Sequence, residues 1–171
     1  MLVRCVLGSP TTSSDCHDGT GMSELDALSA AEVIARHGLQ PLEGEGGHWA
    51  PIYRSEHGNA ILFLIAAPDF SAWHRIPENE LWVHLAGAPV ALHTIEDRPV
   101  VRHLDRGTDQ FSHLVPAQTW MAARSEGSWS LILCSLAPAF TAMTLATAAD
   151  VAHWRGLFPD AVDLVEGLLH E

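Results

Sequence analysis

The sequence predicts an all-β domain with one helix ahead of the strands and helices behind them, and three observations carry that prediction. The middle of the chain is a succession of short apolar runs separated by Gly, Pro, Asp and Asn, the pattern of a β sandwich or barrel. No helical pattern of about 10–15 residues interrupts these runs, which argues against a βαβ architecture. Helical periodicity appears only toward the two ends of the chain.

Residues 1–21 end in small, polar, turn-forming residues and are expected to be a disordered extension or a mis-assigned start, with a single domain over 22–171. From Ser29, the segment AAEVIARHGL places Val33 and Ile34 on one face. Ser29 suits an N-cap, Glu32 completes a capping box, and Gly38 is a natural stop. EGEGGHW is expected to be loop. The runs APIYRS, AILFLIA, ELWVHLAG, VALHTI, VRHLD, SHLVPA, TWMAAR, SWSLILCSLA and MTLAT follow as strands. AADVAHWRGLF then aligns Val151, Trp154 and Leu157 as a helix that Pro159 ends. A second helix with Val162, Val165 and Leu168 closes the chain, and the two are expected to cap the barrel.

Composition limits function. The 171 residues fit one domain, and 47% apolar content with six Trp and five Phe supplies core material. Twenty-one acidic residues against nine basic ones give a net charge of −12, a poor surface for nucleic acid or anionic membrane, whose binding rests on Lys and Arg. All nine basic residues are Arg. Without lysine, Schiff-base chemistry, pyridoxal phosphate and Walker-type phosphate loops are excluded. The three cysteines, Cys5, Cys16 and Cys134, form no CxxC, and Cys134 reads as a small buried hydrophobe. No stretch approaches the ~20 apolar residues of a membrane span, and a cytoplasmic location is expected.

The chemistry concentrates in FSAWHRIPENELWVHLAG, Phe70 to Gly87. His74, Glu80 and Gly87 match the spacing of the first cupin motif, while Ile76 stands where its second histidine would be. Other segments join it in order: EGGHWAPIYRS (Glu45 to Ser55), AILFLI, VPAQTW (Val115 to Trp120), LAPAF (Leu136 to Phe140) and LFP. This ordered set resembles the small single-domain cupins of the fifth cupin group, a family of unknown function, from about Leu39 to Pro159. The resemblance implies a cupin-type β jelly-roll barrel and a homodimer. The chain departs from the family pattern at Glu43, Gly44, Ala50, Pro51, Val83, Gln118 and Met121, mostly near the expected pocket.

Strand alternation puts Glu80, Trp82 and His84 on one face. With His74 on the preceding turn, His74, Glu80 and His84 make a candidate set for a divalent transition metal, although Trp120 stands where the second cupin motif supplies a further histidine. No cofactor is called for by the motifs themselves. Arg54, flanked by Tyr53 and Ser55, is placed to clamp an anionic group at the barrel mouth or to sit on the surface. Trp82 and Trp120 are candidates for an aromatic wall or for core packing, and His48 for the pocket rim. His74 and Glu80 are the candidate catalytic pair, an imidazole beside a carboxylate. The leading expectation is a small polar molecule bound in the barrel. The alternatives are a metal-dependent isomerase, hydrolase or dioxygenase, and a non-catalytic dimeric scaffold.

Overall fold

Ser29 begins helix α1 (Ala30–His37) as its sequence requires: its hydroxyl accepts from Glu32 N–H while the Glu32 carboxylate accepts from Ser29 N–H, and Gly38 ends the helix at φ 63°. These features come from a computed structural model that describes residues 23–170. The expectation for residues 1–21 lies outside the described residues.

After α1 come β1 (Gln40–Pro41), β2 (His48–Arg54), β3 (Asn59–Ala66), β4 (Ser71–Arg75), β5 (Glu80–Gly87) and β6 (Val90–Ile95). There follow β7 (Pro99–Leu104), β8 (Ser112–Val115), β9 (Trp120–Ser125), β10 (Trp129–Leu136), β11 (Thr144–Leu145), α2 (Ala148–Leu157) and α3 (Val162–Val165). The strands form two antiparallel sheets, β1-β2-β3-β10-β5-β8 and β11-β4-β9-β6-β7. Non-sequential neighbours such as β3 and β10 are the mark of a jelly roll, in which the chain crosses from sheet to sheet.

The main core lies between the sheets. Phe63, Ile65, Trp82 and Ile132 from one pack against Leu92, Met121 and Ala123 from the other. Phe63 meets Trp82 edge to face at 6.0 Å, a favoured aromatic geometry. A second cluster joins α1 to the outer face of the six-stranded sheet through Val33, Leu64 and Leu131.

Two expectations need correction. Ser71–Arg75, expected as a turn, is strand β4. Its residues are buried on both faces, Trp73 outward and His74 inward, so no polar alternation marks it as a strand. The C-terminal helices do not cap the barrel. They cover the outer face of the five-stranded sheet, where Trp154, Val165 and Leu168 bury Trp73 and Ala122. The last helix is a single turn. Glu166 is already extended, Gly167 takes φ 75°, and Leu168 O accepts from Trp73 N at 2.9 Å. The apolar spacing of Val165 and Leu168 reports burial in the cluster around Trp73 rather than continued helix.

Candidate functional site

A cavity of about 440 Å³ opens into the jelly roll between the sheets, within the usual range for small-molecule sites. Leu42, Trp49, Ile61, Leu136, Phe140 and Met143 supply apolar wall; Glu45, His74, Glu80, Tyr53 and Arg54 supply its ionisable groups.

His74 comes from β4 and is only 2% exposed. Its Nδ1 lies 2.8 Å from Ala72 O; a carbonyl only accepts, so Nδ1 carries a proton, and in the neutral ring Nε2 keeps its lone pair. Nε2 is 3.9 Å from Glu45 Oε1, beyond hydrogen-bond distance. Glu80 opens β5, with Trp82 Nε1–H donating to its Oε2 at 3.0 Å. Burial pushes the Glu80 carboxyl up to about 7; His74 nearby pulls it down and Glu45 pushes it up. The Cys134 thiol, on the facing strand β10, is raised well above its ordinary value by burial first and then by these carboxylates, which keeps it protonated and unreactive.

Sequence reasoning missed Glu45 as a site residue. It is 7% exposed and sits in the tight turn between β1 and β2. Gly46 (φ 93°) and Gly47 (φ 71°) adopt backbone that favours glycine, and a Cβ on Gly46 would lie 2.3 Å from Phe70 O. That close approach lets Glu45 O accept from Ala72 N at 2.8 Å and Glu45 Oε1 accept from Ser71 Oγ at 2.7 Å. The paired glycines after an acid were the available signal: only a backbone pressed against another strand needs them.

Of the other residues singled out, Tyr53 and Arg54 line the cavity mouth, and Arg54 Nη2 donates to Phe140 O at 3.2 Å. Ser55 does not line the cavity; its hydroxyl serves the β2–β3 turn through Gly58 O. His48 does not line it either, because β2 alternation turns Trp49 inward in its place. Trp82 is fully buried core whose link to the site is its hydrogen bond to Glu80. Trp120 faces out of the barrel, under the Arg75 guanidinium at 4.7 Å and against Trp154, while its neighbour Met121 points into the core.

His84 shares the face of Glu80, yet four residues of strand carry it about 13 Å further along. There Nε2 donates to Ala88 O at 2.9 Å and Nδ1 accepts from Arg106 N at 2.9 Å. Both nitrogens are engaged, and burial lowers the pKa of the ring. The set His74, Glu80 and His84 is therefore not brought together. A cupin-type metal does not fit the residues present: Ile76 replaces one imidazole, Trp120 turns away, and among the described residues no group of three His, Cys, Asp or Glu is arranged to hold an ion. A broader groove of about 1290 Å³ lies outside the barrel beside α1, but its Asp26, Arg106 and Trp129 are tied to one another and to backbone.

A two-sheet jelly roll with polar side chains converging inside is the architecture of a cupin. The chain belongs to the Cupin superfamily (DUF985), whose family model matches residues 31–148. A protein of Shewanella oneidensis superposes with a TM-score of 0.71 at 22% identity, over 84% of this chain and 98% of its own. A hypothetical protein from Leishmania major gives 0.70 at 23%, over 84% and 100%. The DMSP lyase DddQ from Ruegeria pomeroyi gives 0.53 at 19%, over 68% and 65%. These likenesses speak to the fold alone. Comparison with curated proteins gives no match.

Proposed function

We propose that this cupin binds a small molecule in its interior cavity, with His74, Glu80 and Glu45 at the base and Tyr53 and Arg54 at the mouth. One observation carries the reading: an almost fully buried imidazole keeps a hydrogen-bonding nitrogen without a partner and faces a cavity of about 440 Å³. A polar atom that opens on a cavity without a protein partner is one that a bound molecule can satisfy. A packed, inert scaffold has no use for this arrangement.

Proton transfer is the chemistry such a site favours. A carboxyl held at about 7 beside an acceptor imidazole is matched to acid–base work near neutral pH. The proposal includes a cytoplasmic homodimer; its support is the apolar surface left on the outer face, where Leu81 and Leu114 are register partners and both exposed. Among the described residues no helix is long and apolar enough to cross a membrane.

A ligand screen by thermal shift, followed by calorimetry on each hit, tests the reading. Hits should lose at least about tenfold in affinity in His74→Ala, whose truncation removes the free acceptor. Affinity that is indifferent to His74→Ala would place the ligand elsewhere and overturn the proposal. Metal content is the companion measurement: stoichiometric metal in protein purified without added ion, lost in Glu80→Ala, would return the metal-dependent alternative to first place.

A further inference from the structure

Three side chains able to accept hydrogen bonds meet in the cavity, and among the described residues no arginine pairs with them. With Nδ1 donating to Ala72 O, the neutral His74 ring presents Nε2 as an acceptor. Glu45 uses Oε1 for Ser71, and its Oε2 takes no hydrogen bond. Glu80 takes the Trp82 indole on Oε2. Among the described residues neither carboxylate is ion-paired to an arginine, and the imidazole nearest Glu45 Oε1 is His74 Nε2 at 3.9 Å. Arg54, which reaches the same cavity, stands at its rim and donates to Phe140 O. The remaining wall is mostly apolar, with Trp49, Tyr53 and Phe140 its aromatic parts and Asn59 a polar one, whose Oδ1 accepts from Phe140 N.

We propose that the cavity selects a protonated primary amine on a small apolar body, its three N–H donors received by His74 Nε2, Glu45 and Glu80. An ammonium group carries three donors and no acceptor, the complement of this set. It also supplies the counter-charge that two buried carboxylates lack. An anionic ligand would meet those carboxylates at the base of the cavity, and a neutral one would leave them uncompensated. This inference rests on the cavity being the binding site and deepens that reading by naming the ligand class.

The proposal carries a proton signature. Facing Glu80 are His74 from β4, Glu45 from the β1–β2 turn and Cys134 from β10, with Tyr53 and Arg54 from β2 at the rim. A Glu80 that titrates near neutrality in the free protein must be ionised when an ammonium group sits on it, so binding releases a proton.

Calorimetry on the full chain, treated with chelator, with benzylamine, benzyl alcohol and benzoate as probes, decides the matter. Benzylamine should bind at least about tenfold more tightly than either isostere. Its affinity should rise from about pH 6 to about pH 8, and its heat should vary with buffer ionisation enthalpy as a proton leaves. Glu80→Gln should weaken benzylamine at least about tenfold and abolish the pH dependence, and Glu45→Gln should weaken it while keeping that dependence. Melting curves confirm that both variants fold. Tighter binding of benzoate or benzyl alcohol, lost in His74→Ala, would overturn the amine class and leave the cavity reading standing. Absence of binding by all three overturns the amine proposal, and the wider screen then judges the cavity alone.

Discussion

Glu80 illustrates how one side chain can link stability to the site. Its carboxyl is held at about 7 against an ordinary 4.5, so between those values the folded state keeps a proton that the unfolded state has lost. The sign follows: this group's stabilising contribution is complete below about 4.5 and is lost as pH rises through about 7. The loss is on the order of a few kcal/mol. Glu80→Gln should therefore flatten the pH dependence of urea unfolding over that window and leave the variant more stable than the parent above it. An unchanged slope would contradict the burial of this carboxyl. Cys134 offers a second check at this scale. With its thiol pushed well up by burial and by Glu80, it should resist a thiol reagent at neutral pH until the protein unfolds; prompt modification of the folded chain would refute that environment.

Among the elements, the β1–β2 turn decides whether the site exists. Gly47 holds φ 71° and a Cβ there would lie 2.8 Å from the Phe63 ring, while its N–H donates to Asp69 Oδ2 at 2.8 Å. Gly47→Ala should cost about 1–3 kcal/mol in equilibrium unfolding, and any ligand affinity that depends on Glu45 should fall with it; a neutral substitution would show that the turn can relax. The strands with clear alternation were legible in the sequence because one face of each looks into the core, as in ELWVHLAG. Ser71–Arg75 was not legible, since the C-terminal helices hide its outer face and erase the alternation. Ser29, Glu32 and Gly38 were readable because capping is local chemistry. Where α2 and α3 settle was not, because helix periodicity identifies a buried stripe without naming the surface that buries it.

At the scale of the whole molecule, the jelly roll decides which residues of the sequence motif can act together. His74 and Glu80 converge because β4 and β5 lie in different sheets and both turn side chains into the space between them. His84 shares the right face of its strand but lies too far along it, a distance that motif spacing does not display. Trp120 was misplaced by parity: one residue of register separates the barrel interior from the outer sheet face. Glu45 enters from a turn distant in sequence, and only the closed fold reveals its neighbours. Oligomeric state belongs to this scale as well. Light scattering after gel filtration should give twice the chain mass of 18.5 kDa, and Leu114→Asp, on the exposed outer face, should shift the protein toward monomer if that face forms the contact.

Carbon-13 NMR of glutamate carboxyls across a pH titration tests the central claim most directly, because it reads the buried acid beside His74 without any ligand. One resonance, absent from Glu80→Gln, should titrate near 7 and move when His74 is replaced. Every glutamate titrating near the ordinary 4.5 would mean that the cavity is open to bulk water and that these side chains do not form a secluded site.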